Sequence, residues 1–186
     1  MKIPIVNEQD EIIGEEERAV IHRNGLKHRE IHVWLITPEQ GFIFQKRGLN
    51  QDTWPGFFDV TCGGHVDLPN ETYEECARRE LKEETGVEVP LTFILKKYSE
   101  SFDPNTNTQN NAFRATFAGI YKGRVEDLKI ENDAGLGFQV FSLEDLKKIK
   151  ENEESKKLFI PRFLDDSYAD IFNNIINNLF TNENQS

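Results

Sequence analysis

The segment from Gly63 to Val87, GGHVDLPNETYEECARRELKEETGV, concentrates residue types that handle cations and phosphate. Thr72 and Glu75 form a capping box, and Gly86 stands where a helix C-terminal glycine belongs, so the spacing predicts a helix over residues 72–85. At about 100° per residue, Glu80, Glu83 and Glu84 fall at i, i+3 and i+4 and share one face. Tyr73, Cys76, Ala77 and Val87 fall on that same face, so carboxylates interrupt a stripe that should be buried. Three like charges at this spacing repel and cost stability unless a cation resolves them. Hard carboxylate oxygens suit Mg²⁺ or Mn²⁺. A Glu-rich string alone is ordinarily solvated surface; the Gly63-Gly64 loop and the capped start set this one apart. Paired glycines permit close backbone approach to metal or phosphate. Arg47, in FQKRG, is expected to offer a phosphate a fork of donors.

This segment resembles the Nudix box of Nudix hydrolases: Gly, five residues, Glu, seven residues, Arg-Glu, an aliphatic residue, any residue, Glu-Glu, any residue, Gly, aliphatic. Glu71 through Arg79-Glu80-Leu81-Lys82-Glu83-Glu84-Thr85-Gly86-Val87 fits without a gap. Gly64 is separated from Glu71 by HVDLPN, one residue more than the pattern, read as an insertion at Leu68-Pro69-Asn70 that leaves the helix register intact. The resemblance implies hydrolysis of a diphosphate linked to a group X, by water attack on phosphorus. It makes Glu83 and Glu84 the principal metal ligands and Glu80 a further ligand or general base. It pairs Arg79 with the loop residue Glu71 and lets the Gly63 carbonyl complete the coordination, with Gly64 and Gly86 supporting the box. A small-molecule diphosphate is the implied substrate, and homodimerisation is a family expectation.

The stretch HRNGLKHREIHVWLI, followed by FIFQKR and PGFFDVTCGGHV, also resembles the Nudix branch that contains isopentenyl-diphosphate isomerases. That branch uses a His-rich metal site and a cysteine–glutamate pair for proton transfer. His22, His28 and His65 echo its histidines, and His32 is a fourth on the strand. The departures favour hydrolase. The isomerase cysteine lies two positions before its histidine, where Gly63 stands here, with Cys62 one further back. The place of the distal glutamates reads Asn110-Asn111-Ala112-Phe113, without a carboxylate. Protonation and deprotonation of an allylic substrate then lack agents. Cys62 and Cys76 are expected to be small buried residues. A non-catalytic ligand-binding module is a third reading, disfavoured by the intact Glu-Glu pair. Many family members place a further catalytic carboxylate after the box; Glu100, Asp103, Glu126 and Glu131 are candidates.

The elements that must position these residues follow from the pattern. Residues 1–14 read as a hairpin, 31–36 and 41–47 as an antiparallel strand pair, and 59–62 as a short strand running into the glycines. VEVPLTFILKKYSE and AFRATFAGIY read as strands around a loop at 102–111, and LGFQVFS as another strand. Ser142 and Asp145 make a second capping box, and residues 166–180 have helical spacing. Trp54, Phe57, Phe58 and residues 101–112 are expected around the X group. The whole predicts an α/β protein, an α/β/α sandwich with a mixed β-sheet and flanking helices. One domain is expected over 1–186, with its core at about 28–157, an N-terminal hairpin at 1–27 and C-terminal helices at 158–186.

Composition bounds the partners. The 186 residues carry 22 Lys+Arg against 33 Asp+Glu, a net charge of −11. That balance disfavours duplex nucleic acid and anionic membranes. It does not exclude a phosphate substrate, because a metal can supply the missing positive charge. No apolar run approaches the ~20 residues that cross a bilayer. Two cysteines make no disulfide framework, so a cytoplasmic protein is expected.

Overall fold

The computed structural model describes residues 2–51, 53–68, 70–130 and 135–181. Among them, nine strands form one mixed sheet. The elements run β1 (Lys2–Val6), β2 (Ile12–Glu17), α1 (Arg18–Asn24), β3 (His28–Ile36), β4 (Phe42–Arg47), β5 (Phe58–Asp59), β6 (Cys62–His65), α2 (Tyr73–Thr85), β7 (Thr92–Asp103), β8 (Thr108–Ile120), β9 (Gly135–Phe141), α3 (Leu143–Glu151), α4 (Glu153–Lys156) and α5 (Asp166–Ile176). The central strand is β3. It runs parallel to β8 from His28↔Ala112 to Ile36↔Ile120 and antiparallel to β6 from Glu30↔His65 to Val33↔Cys62. The remaining pairings are antiparallel: β1 with β2 and β3, β3 with β4, β7 with β8, and β4 with both β5 and β9.

Side-chain alternation along β3 divides the interior into two cores. Ile31, Val33 and Leu35 pack with Cys62, Cys76, Ala77 and Leu81 beneath α2. Trp34 and Ile36 face the other way, into a cluster with Phe42, Phe44, Phe159, Phe163, Tyr168 and Phe172 beneath α5. That second core is aromatic, with Trp34 5.3 Å from Phe172 and Phe42 4.5 Å from Phe172, ring centre to centre. Such pairs each add about 0.5–1.5 kcal/mol beyond the area they bury. The layers are therefore helix, sheet, helix. The N-terminal hairpin is tied down by Asp10, which accepts from Arg29 Nε at 2.7 Å and Tyr73 Oη at 3.0 Å.

Four local expectations differ from what forms. The pairing of β3 with β4 is confined to Ile36↔Phe42 beside their turn, because β6 takes that edge of β3 further along. The strand expected at 59–62 splits, and Gly63-Gly64 lie within β6, opposite His32 and Ile31. Residues 102–111 are mostly strand, because the register Glu100↔Asn111 to Asp103↔Thr108 extends the β7–β8 hairpin. Their polarity reflects a strand end that borders a cavity rather than a core. Helix α1 forms where only a hairpin was read; it is seven residues long, has no side-chain N-cap and ends at Gly25 in the left-handed region (φ +63°).

Candidate active site

Helix α2 forms where its caps require. Thr72 Oγ1 accepts from Glu75 N–H, Glu75 accepts in return from the Thr72 N–H, and Gly86 closes the last turn at φ +71°. Cys76, Ala77, Leu81 and Thr85 are its buried stripe. Glu80 lies along the edge of that stripe with its side chain 15 % exposed, whereas Glu83 is 53 % exposed. Arg79 links the preceding loop to the helix. Its Nε and Nη2 donate to the two oxygens of Glu71 at 2.8 and 3.0 Å, and Nη2 also reaches Asp67 at 2.9 Å. Its Nη1 donates to Glu80 at 2.7 Å and Glu83 at 3.1 Å.

One guanidinium thus answers four carboxylates, and Glu84 adds a fifth on the same wall. Burial, with Glu83 and Asp67 beside it, pushes the Glu80 carboxyl up to about 7, although Arg79 pulls the other way. A deficit of positive charge among hard oxygen donors fits a divalent cation. Gly64 makes room for this arrangement, since a Cβ there would lie 2.5 Å from Glu80 Cδ. Gly63, next to it, borders the same space.

These groups open onto a cavity of about 460 Å³. Another part of the lining, with what supports it, comes from strands far apart in sequence. Glu30 and Arg114 are register partners on β3 and β8, and the guanidinium grips Glu30 Oε2 at 2.6 and 3.1 Å. Asn110 donates to the other Glu30 oxygen at 2.8 Å. Burial alone would raise the Glu30 carboxyl, but Arg114 and His28 outweigh it and hold it well below the usual carboxylate range. Arg47 spends its fork on Asp59 at 2.7 Å and on Thr53 O at 2.9 Å. It borders the cavity while fastening the loop that carries Trp54. Trp54 borders the cavity too, at φ +47°, and its N–H donates to Asp103 at 2.6 Å.

His22, His28 and His65 converge beside this wall, with one potential ligand atom from each within 4.8 Å of the others. His22 Nδ1 and His28 Nδ1 each lie 3.0 Å from a backbone carbonyl, of Gln109 and Leu26. A carbonyl can only accept, which assigns a proton to each Nδ1; the His22 Nε2 then lies 3.2 Å from His65 Nε2, and the His28 Nε2 lies 3.4 Å from Glu30 Oε1. Burial lowers the His22 imidazole and takes His65 down to about 3, so both are neutral at physiological pH. These three imidazoles could hold a metal ion. His32 stands apart, buried, 3.3 Å from the Tyr168 hydroxyl.

The remaining expected residues sort by place. Phe58 does not border the cavity; it is packed in the aromatic core between Phe141 and Phe159, which corrects its expected role around the X group. Phe57 packs on Trp54. Cys62 and Cys76 are free, buried thiols beneath α2. Among the further carboxylates, Asp103 reaches the cavity with both oxygens engaged by the 53–54 and 105–106 segments. Glu100 instead accepts from Tyr98, and Glu126 pairs with Arg124 on the surface. Glu131 and Pro69, the middle of the loop insertion, lie outside the described residues. Glu30, Arg114 and Arg162 were not singled out from sequence. The available signal was a charged residue inside each of the apolar stretches REIHVWLI, AFRATFAG and FIPRFL.

No helix among the described residues is long and apolar enough to cross a membrane. Comparison with known proteins agrees with the geometry. The family model for the NUDIX domain matches residues 26–163. An uncharacterised Nudix hydrolase of Clostridium acetobutylicum is 28% identical over 160 residues, covering 81% of this chain and 74% of its own. An isopentenyl-diphosphate delta-isomerase of Photorhabdus laumondii is 30% identical over 128 residues, covering 69% of each chain. Among solved structures, a Deinococcus radiodurans protein superposes with a TM-score of 0.65 at 21% identity, over 86% of this chain and all (100%) of that one. This last likeness shows the fold alone. With a capped glutamate helix facing a polar cavity and a family match over most of its length, the chain belongs to the Nudix family of hydrolases.

Proposed function

We propose that this protein is a divalent-metal-dependent hydrolase that cleaves a small-molecule diphosphate linked to a group X, by water attack on phosphorus. The observation that carries this reading is the α2 wall, where Glu80, Glu83 and Glu84 open onto a cavity that Arg18, Arg47 and Arg162 also border. Glu83 and Glu84 would hold Mg²⁺ or Mn²⁺, with Glu80 as a further ligand or the acceptor of the proton that water loses. The cation would neutralise diphosphate charge and lower the barrier to forming the nucleophile. Arg79 keeps the Gly63–Glu71 loop on the helix through Glu71 and Asp67. Trp54 and the strand ends at Ser101 and Thr108 border the space left for X.

The test is a screen of diphosphate compounds with Mg²⁺ and Mn²⁺ that identifies every product. Metal-dependent release of a phosphate or monophosphate is expected. Glu83→Gln or Glu84→Gln should lower the rate by ~10² or more. Full activity in those variants overturns the assignment.

The His22–His28–His65 cluster favours a second reading, an isopentenyl-diphosphate isomerase. Two observations weigh against it. The side-chain-free Gly63 occupies the place where a proton-transferring cysteine is expected, and Cys62 is sealed beneath α2. The cavity also presents the Arg162 cation, which opposes a developing carbocation. Incubation with isopentenyl diphosphate decides: formation of dimethylallyl diphosphate supports isomerase, and no product with any metal removes it.

A further inference from the structure

We propose that the arginine side of the cavity is an oxyanion subsite centred on Arg162, so that the X group carries an anion of its own, a phosphate or a carboxylate. This deepens the hydrolase reading and rests on it for the word substrate; the anion site itself does not.

Arg47, Arg79 and Arg114 each have their donors spent on carboxylates, hydroxyls or carbonyls at 2.6–3.5 Å. Arg162 makes a single ion pair, 3.5 Å to Asp59, although its side chain is only 21 % exposed. Asp59 is already committed, since its other oxygen takes Arg47 at 2.7 Å. The Nε of Arg162 has no partner among the described residues. Gln45, 6 % exposed and opposite Asp59 in the β4–β5 register, also has an unpartnered Nε2. Both residues border the cavity.

A guanidinium that is mostly buried and shares half a carboxylate is costly, and unspent donors there call for a partner. Burial and the nearby Arg114 both disfavour its charge, yet arginine does not give up its proton. A planar fork matches the two oxygens of a phosphate or carboxylate. The cavity is then bipolar. A cation on the α2 wall takes the diphosphate, and Arg162 takes a second anion at the far end of X. A hydrocarbon X would leave that cation with only its long pair to Asp59.

Calorimetric titration of the full chain with inorganic phosphate, and separately with acetate, in EDTA reads this subsite without any cation on the α2 wall. Saturable binding of at least one anion is expected, weakened about tenfold or more in Arg162→Gln and less in Arg162→Lys, which keeps the charge but loses the fork. The tighter of the two anions identifies the group on X. Circular dichroism establishes which variants fold. No saturable binding of either anion up to about 100 mM overturns the proposal. So does unchanged affinity in whichever variant folds. Anion binding through Arg162 without turnover of any diphosphate would leave the subsite standing and remove the hydrolase reading.

Discussion

The α2 wall of the cavity takes its carboxylates from Glu80, Glu83 and Glu84 of one helix, while the rest of its lining collects Glu30, with its partner Arg114, His65 and Arg162 from separate segments of the fold. The first wall is partly open to solvent and carries more negative charge than Arg79 can answer. The second is buried, and Glu30 and Arg114 answer each other in register. Unresolved charge costs folding energy and is retained where a ligand will resolve it. Resolved charge in a buried strand pair belongs to the fold, and losing one member leaves the other stranded. Substitutions in the two walls should therefore fail differently. By the same logic Arg162, buried but unresolved, sits with the functional wall.

The largest effect is expected at Glu30. Glu30→Ala strands the Arg114 guanidinium and should cost about 3–5 kcal/mol, read by urea unfolding. The pH dependence has a definite sign. Because the folded Glu30 carboxyl is held below its ordinary value of 4.5, its stabilisation is present above that value and is lost as pH falls through the lower folded one. Glu30→Gln should flatten that acid limb; an unchanged limb would mean the pair contributes nothing. Next is Glu84→Gln, with a rate loss of ~10² or more, about 2.7 kcal/mol in barrier, and a melting temperature close to the parent's because the change is isosteric and removes a charge beside Glu80 and Glu83. A lower melting temperature there would erase the contrast between the walls.

A smaller effect is expected at Asp103, which holds the Trp54 and Asn105 amides. Asp103→Asn loosens the loop bordering X and should raise KM several-fold while sparing kcat, since removing a charged hydrogen bond is worth about 1.5–3 kcal/mol of loop order. Equal falls in kcat and kcat/KM would instead place Asp103 in the chemical step. The smallest is Thr72→Ala, which removes the α2 cap and should cost about 1 kcal/mol by thermal melting.

What could be read from the chain follows the length over which each interaction acts. The α2 caps, the share of one face by Glu80, Glu83 and Glu84, and the Ser142–Asp145 cap all lie within a turn or two of helix, where spacing dictates geometry. The mixed sheet with helices on both faces was legible from alternating strand and helix patterns. The end of the β7–β8 hairpin was not, because Thr108 to Asn111 look like loop until a partner strand supplies their hydrogen bonds. Phe58 was misplaced for a related reason: an aromatic residue in a polar loop suits a ligand pocket or a core, and only the β4–β5 pairing and the Phe159 contact decide between them.

The sequence by itself therefore determined the helix that presents carboxylates, because its caps and spacing are local, while the loop clamp from Glu71 to Arg79 followed from the family resemblance. The tertiary structure alone decided that Glu30 meets Arg114, that His22, His28 and His65 converge, and that Arg162 arrives from the C-terminal segment with a long pair to Asp59 and an Nε without a partner among the described residues. Strand register and the packing of residues 159–176 on the sheet set those meetings. Both are fixed by side-chain burial across the whole molecule rather than by any local spacing.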